Sequence, residues 1–286
     1  MHLRCSFLMG CNMIIVKIRV KFKTFKTMSE SHFFVKSAFV LLLAAQPCRA
    51  DIYTQNFDFL NGTQDVGDGT SMLGSANIQS NALEITNSNP GGQAGAFNIP
   101  SIANSSLGFT ASFNITIISG PGAPADGLSF YYGDFPITVI YNEEGLLMDG
   151  SLSWILDTYP NSSEDRGYRS RINGNPDFVS NEVILTVNQP LSAFAVMSWS
   201  PLEGMSFSLN SVSIFSNHPT VGFVGDDNYA FGFSARTGGL RETVLIDNLT
   251  ISTVPEPAIG SLLSLIGFCF LNRRRRGSKA LTIKGL

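Results

Sequence analysis

Alternation of apolar and polar residues between positions 51 and 252 constrains the fold of this chain more than any other feature. The period of two residues is typical of strands that bury one face. Turn-forming clusters rich in Gly, Pro, Asn and Asp separate the alternating runs, for example at 120–122 and 225–228. The runs that predict strands are 109–118, 127–132, 137–141, 182–187, 193–199, 205–215, 230–234 and 243–252.

These runs predict an all-β domain over residues 51–252, with about a dozen or more short strands and no amphipathic helix. Many short strands with frequent turns favour a two-sheet antiparallel sandwich. The 22 Phe residues of the chain can fill the core between two such sheets. Helices are expected only outside this domain, in the apolar segments near the two ends.

The formal charge of −3 is an average over three unlike segments. Residues 51–271 hold 21 acidic residues against five arginines and no lysine, a charge of −16, whereas residues 1–50 carry +7 and residues 272–286 carry +6. A domain this acidic is repelled by phosphate backbones, so a nucleic-acid partner is not expected. All four cysteines lie outside the domain, which therefore has neither a disulfide nor a cysteine-ligated metal.

The first 50 residues resemble a signal peptide. The apolar run 33–45 is short, and Cys48 and Ala50 supply small residues at the positions that precede a cleavage site, so the mature chain is expected to begin near Asp51. The basic segment before Met28 is unusually long for a signal peptide, which indicates that translation starts at Met28. An internal transmembrane helix is the alternative, and the run is short for that purpose.

The other end combines a proline motif, an apolar run at 258–271 and a cluster of arginines. About 14 apolar residues are marginal for crossing a bilayer, although basic residues on one flank suit a cytoplasmic-side anchor. A single-pass tail anchor is one interpretation. The residues that form the motif and the cluster are Val254, Pro255, Glu256, Pro257, Arg273, Arg274, Arg275 and Arg276.

That arrangement closely resembles the PEP-CTERM sorting tail of exopolysaccharide-producing Gram-negative bacteria. The resemblance implies that residues 253–286 are a sorting tail recognised by an exosortase-type machinery, with a transient inner-membrane anchor at 258–271. It also implies a final location at the cell surface or in the extracellular matrix.

Three segments inside the domain carry side chains suited to a binding site. Asp126 in 124–130 can accept hydrogen bonds from vicinal sugar hydroxyls, or it can simply form a strand-entry turn. In 153–165, Asp157, Tyr159, Asn161 and Asp165 offer the oxygen ligands that calcium prefers, or they form an acidic solvated turn. The third segment, 231–239, is glycine-rich and could equally be a hairpin.

The three segments in this order resemble the concanavalin A-like jelly-roll sandwich, specifically legume-type lectins, over residues 51–252. The resemblance implies that Asp126 and the adjacent Gly127 bind sugar and that Asn161 binds both sugar and calcium. It also implies that Asp157, the carbonyl of Tyr159 and Asp165 complete a calcium shell. No transition metal is expected, because Ile155 stands where the family has an acidic ligand and the domain has no histidine before His218.

The sequence therefore predicts an exported, carbohydrate-binding sandwich whose partner is a glycan or exopolysaccharide. A purely structural sandwich without a sugar site is the main alternative. A glycan hydrolase on the same fold is a second one, but it would need two carboxylates on one strand face. The run 154–159 offers only Asp157, and Glu143 and Glu144 are adjacent, so on a strand they would face opposite sides. We therefore expect no enzyme activity.

Overall fold

Two antiparallel sheets packed face to face form the domain, as seen in a computed structural model that describes residues 50–159, 166–180 and 189–255. The eight-stranded sheet has the order β13 (Val212–His218), β12 (Gly204–Leu209), β11 (Leu191–Ser200), β6 (Phe109–Ser119), β15 (Glu242–Thr253), β4 (Ala82–Thr86) and β3 (Asn77–Gln79), with β1 (Ile52–Gln55) also paired to β15. The seven-stranded sheet has the order β10 (Asn175–Ser180), β9 (Gly167–Ile172), β8 (Ser151–Asp157), β7 (Gly127–Gly133), β14 (Ala230–Arg236), β5 (Ala94–Ile99) and β2 (Ser71–Gly74).

This architecture confirms the predicted all-β, two-sheet antiparallel fold. Within the described ranges the helical content is one 3-10 turn, Ser105–Leu107, and no helix there has the length and apolarity that crossing a bilayer requires. The predicted signal helix, the apolar helix at 258–271 and the predicted strand at 182–187 all lie outside the described residues.

Aromatic side chains from both sheets fill the core. Phe109 of β6 meets Phe231 of β14 edge to face, with ring centroids 4.9 Å apart, and it also packs against Trp154 of β8. The indole N–H of Trp154 donates to the carbonyl of Ser206 in the opposite sheet over 3.1 Å. Burying each such side chain contributes about 1.5–3 kcal/mol, so these residues hold the two sheets together.

The seven-stranded sheet is buried on both faces at its centre. Every residue of β7 and β8 is buried, because a loop at 134–150 lies over the outer face of this sheet. Small polar side chains on that face hold the loop: the Asn98 amide donates to the carbonyl of Ile137 over 2.9 Å, and the Ser234 hydroxyl donates to the carbonyl of Asn142 over 2.6 Å. The strand predicted at 137–141 is therefore wrong, since these residues form turns whose carbonyls bond to side chains.

The strand predicted at 205–215 is two strands. β12 and β13 form a hairpin whose turn residues, Asn210 and Ser211, have φ angles of 47° and 66°. Positive φ at two successive residues matches the twist of the flanking strands in a tight hairpin, and Asn tolerates it well. Asn210 continues the apolar–polar alternation, but Ser211 does not, so two successive polar residues break the run that was predicted as a continuous strand.

Candidate functional site

An open cavity of about 530 Å³ lies at one end of the seven-stranded sheet. Because neighbouring strands are antiparallel, β5 and β7 begin at this end while β8 and β14 finish there, so four connecting segments meet. The cavity is lined by residues 92–94, 125–126, 159 and 236–240. The first and third of the predicted site segments therefore meet here, together with Tyr159 of the second.

Asp126 forms part of the cavity wall and is held through its main chain. Its N–H donates to the carbonyl of Arg236 over 2.9 Å, and its carbonyl accepts the N–H of Thr158 over 3.3 Å. Its peptide bond with Ala125 is cis. Only 5 % of Asp126 is exposed. Burial raises the pKa of its carboxyl group above the ordinary value, and the guanidinium of Arg236 offsets only part of that rise. The structure thus fixes the carboxylate of Asp126 at the cavity, and its predicted contact with sugar stays a prediction.

Arg236, the last residue of β14, connects Asp126 to a deeper carboxylate. Its Nη2 atom lies 2.6 Å from Oε1 of Glu143, and its Nε atom lies 3.4 Å from Oδ2 of Asp126. Glu143 is fully buried, and this burial raises its pKa above the ordinary value even though the charge of Arg236 acts in the opposite direction. The side chain of Arg236 is 44 % exposed, so it presents N–H donors to the cavity as well as holding the two acids.

The glycine-rich third segment is fastened to the loop before β5. Thr237 donates its N–H to the carbonyl of Gln93 over 2.9 Å, and its hydroxyl accepts the Gln93 N–H over 3.0 Å. The N–H of Gly92 donates to the carbonyl of Gly238 over 3.1 Å. These bonds hold the two loops together along one side of the cavity.

Gly127, predicted as a sugar-binding residue, is the first residue of β7 and lies opposite Asp157 of β8. Its φ of 132° falls in the region that favours glycine, and a side chain there would run into the carbonyl of Leu156. Gly127 is thus required for the close approach of β7 to β8, and its predicted contact with sugar stays a prediction.

Asp157 and Tyr159 come from the end of β8. Asp157 is fully buried; its Oδ1 accepts the N–H of Tyr159 over 2.9 Å, and its Oδ2 lies 2.7 Å from Nη2 of Arg169. Asn161 and Asp165 lie outside the described residues. The predicted convergence of Asp126 with Asn161 therefore stays a prediction.

The oxygen atoms of Asp157, predicted to bind calcium, already have partners within the protein. Calcium takes six to eight oxygen ligands, largely from carboxylates and carbonyls. One Asp157 oxygen instead faces a guanidinium and the other accepts a main-chain N–H. No group of three or more acidic, His or Cys side chains within 50–159, 166–180 and 189–255 is arranged to hold a metal ion. The described part of the shell does not fit calcium.

Sequence reasoning missed a buried set of charged residues behind the cavity. Glu144 accepts from Nη2 of Arg171 over 2.9 Å and lies 3.5 Å from Nη1 of Arg169. Glu242 accepts the hydroxyl of Thr158 over 2.7 Å. One signal was available: Arg169 and Arg171 are two residues apart on a strand, hence on one face, and they are two of only five basic residues in the domain.

Comparison with known proteins supports the fold. No family model matches the sequence, and no curated protein matches it either. Among solved structures, lectin II from Ulex europaeus matches with a TM-score of 0.54 and 14 % identity, covering 71 % of this chain and 99 % of the lectin. The lectin from Bauhinia forficata in complex with GalNAc matches at 0.52 and 16 % identity, covering 72 % of this chain and all of that one.

A third match is the exoplasmic/lumenal domain of VIP36 in its Ca²⁺/Man3GlcNAc-bound form, with a TM-score of 0.50, 16 % identity, and coverage of 68 % of this chain and 87 % of that one. These identities are low, so the matches show the fold alone. The predicted concanavalin A-like, legume-lectin type of sandwich is confirmed at that level.

Proposed function

We propose that this protein is an exported carbohydrate-binding protein that holds a glycan in the cavity beside Asp126. The observation that carries the proposal is the meeting of separate chain segments around one open cavity, on a sandwich shared with lectins. A volume of about 530 Å³ lies within the range typical of small-ligand sites. The glycans named with the matched proteins, GalNAc and Man3GlcNAc, make a sugar the natural class of ligand to test.

The cavity offers the chemistry that sugar recognition needs. Asp126 supplies a carboxylate that can accept hydrogen bonds from hydroxyl groups, and Arg236 supplies donors beside it. Tyr159 adds an amphipathic ring that can cover an apolar face of a pyranose. A hydrolase receives less support, because Asp126 is the one described carboxylate that lines the cavity and Glu143 is fully buried behind Arg236.

Export and sorting form the second part of the proposal, and their support is the order of features in the sequence. The signal-peptide pattern precedes the sandwich, and the proline motif, apolar run and arginines follow it. We propose delivery to the cell surface or matrix through an exosortase-type machinery. Fractionation of cells expressing the full chain tests this. We expect the unmodified chain in the matrix or surface fraction, and a chain with Pro255 and Pro257 changed to Ala in the membrane fraction. Neither chain should be found in the cytoplasmic fraction. Equal distribution of both chains would contradict the sorting role.

Glycan binding is tested with Asp126→Asn, which removes the charge and keeps the shape. A hydrogen bond to a charged group contributes about 1.5–3 kcal/mol, so we expect the dissociation constant measured by calorimetry to rise about 10-fold to 150-fold. The matched control is Glu203→Gln, at an exposed acid of the β11–β12 turn. It should leave affinity unchanged.

Two outcomes would contradict this part of the proposal. The unmodified chain could bind no ligand on a broad glycan array, which would favour a purely structural sandwich. Alternatively, Asp126→Asn could bind a glycan as tightly as the unmodified chain, which would place the site elsewhere. The melting temperature of each variant should be recorded to separate lost binding from lost folding.

A further inference from the structure

The cavity wall at Tyr159 rests on a buried ion pair. Asp157, fully buried at the end of β8, accepts the N–H of Tyr159 with Oδ1 and forms an ion pair through Oδ2 with the guanidinium of Arg169. The same carboxylate thus joins a fixed positive charge to Tyr159, which lines the cavity. Any change in the charge balance at Asp157 should be transmitted to Tyr159.

The register of the strands explains how Arg169 reaches this position. Arg169 of β9 lies opposite Ile155 of β8, and Asp157 is two residues further along β8 on the same face. Diagonal neighbours of this kind are within reach of long side chains. The side chain of Arg169 does extend to Asp157: its Nη2 atom lies 2.7 Å from Oδ2 of Asp157, and the residue is only 7 % exposed.

A second pair of residues keeps Arg169 in place. Glu144 lies 3.5 Å from Nη1 of Arg169, and Glu144 is itself held by Arg171, which donates from Nη2 to its carboxylate and from Nε to its carbonyl, each over 2.9 Å. Arg169 is therefore packed between two carboxylates. Displacing it would leave two buried anions with one counter-charge removed.

This geometry leaves little room for a second cation at Asp157. Calcium would stand 2.3–2.6 Å from a ligating oxygen, yet Oδ2 of Asp157 already has a guanidinium nitrogen at 2.7 Å. Two cations sharing one oxygen repel each other strongly at low local dielectric. A buried carboxylate needs a positive partner to offset its lost hydration, and Arg169 supplies one.

We propose that Arg169 replaces calcium at this site: it neutralises Asp157 and positions Tyr159, so folding and glycan binding are both independent of divalent cations. The binding half of this inference rests on the proposed function. The folding half does not, which allows the two to be tested separately. Arg169 is a positioning residue in this scheme, since it acts on the cavity through Asp157.

The first experiment uses the full chain and calcium alone. An ion present at 100 times its dissociation constant would raise the melting temperature of a domain of this size by about 5–10 °C. We expect equal melting temperatures in calcium chloride and in EDTA, and no heat on calorimetric titration with calcium. A rise of several degrees in calcium would overturn the proposal and would confirm the predicted calcium site instead.

The second experiment changes Arg169 to Gln. We expect a lower melting temperature and a glycan dissociation constant raised at least 10-fold, in EDTA and in calcium alike. The double variant Arg169→Gln/Asp157→Asn removes both charges and should recover part of the melting temperature. Glu203→Gln, at an exposed acid of the β11–β12 turn, is the control and should change neither quantity.

Unchanged melting temperature and unchanged affinity for Arg169→Gln would overturn the positioning role. Should Arg169→Gln fail to fold, the double variant and Arg169→Lys, which keeps the charge, provide the comparison. If neither of these is more stable than Arg169→Gln, the pairing with Asp157 is not what holds Tyr159 in place. If no glycan is found at all, the proposed function fails, while the comparison of calcium with EDTA still decides the question of the cation.

Discussion

Because of Glu242, the free energy of unfolding of the sandwich should fall as the pH rises. Its side chain is fully buried at the start of β15; Oε2 accepts the hydroxyl of Thr158, and Oε1 has no hydrogen-bond partner among the described residues. Burial, reinforced by the nearby negative charges of Asp126 and Asp157, raises the pKa of Glu242 to about 8. The substitution Glu242→Gln keeps the shape of the side chain and removes its titration.

The magnitude follows from the difference in pKa between the folded and unfolded chain. The unfolded glutamate loses its proton near pH 4.5, whereas the folded one keeps it up to about pH 8. Between these values the folded state binds more protons, so the free energy of unfolding falls by about 1.4 kcal/mol per pH unit. The loss due to Glu242 is absent below pH 4.5 and amounts to roughly 5 kcal/mol at pH 8.

Urea unfolding of the unmodified chain and of Glu242→Gln at pH 5, 6, 7 and 8 measures this effect. We expect similar stability at pH 5 and a steadily growing advantage for Glu242→Gln, reaching roughly 3–5 kcal/mol at pH 8. Glu203→Gln, at an exposed acid, should follow the unmodified chain at every pH. A difference in stability between Glu242→Gln and the unmodified chain that stays constant with pH would show that the pKa of Glu242 is not raised on folding.

Three further predictions concern packing and backbone conformation, each measured as the free energy of urea unfolding. Gly145→Ala should cost about 2–4 kcal/mol, because φ is 74° and the new Cβ would lie 2.5 Å from Oγ of Ser153, whereas Gly62→Ala, with φ of 83° and no atom within 4 Å, should cost only about 1 kcal/mol. Equal costs would contradict the steric argument. Trp154→Phe removes the N–H that bonds across the sandwich and leaves a small void, so we expect a loss of about 2–3 kcal/mol, and a loss below 0.5 kcal/mol would be inconsistent with that bond. Ser211→Gly relieves a φ of 66° in the β12–β13 hairpin and should stabilise the domain by up to about 1 kcal/mol; destabilisation would mean that the turn does not need that conformation.

The sequence predicted the fold best where one face of a strand packs on the core and the other meets solvent. β6 shows this clearly, since its burial alternates residue by residue and its bounds match the predicted run closely. The predictions failed where tertiary contacts decide. Residues 137–141 were predicted as a strand, but the carbonyls of Ile137 and Val139 both accept hydrogen bonds from the side chain of Asn98 in the sheet beneath them.

The candidate site was predictable only in part, for a similar reason. Asp126 and Tyr159 could be found because each belongs to a short local pattern. The ion pairs behind them join residues far apart in the chain, 25 positions for Glu144 with Arg169 and 93 for Glu143 with Arg236. No local pattern connects such residues. Only the pairing of β8 with β9 and of β7 with β14 brings them together.

Strand β15 connects the cavity to the opposite end of the sandwich. It begins at Glu242, beside the cavity, and ends at Thr253, whose N–H donates to the carbonyl of Asp51 over 3.0 Å. Twelve residues of extended chain span roughly 35 Å. Asp51 and Thr253 therefore lie beside each other at the end of the sandwich opposite the cavity. The first and last residues of the described domain are thus on the side away from the cavity, and neither of them lines it.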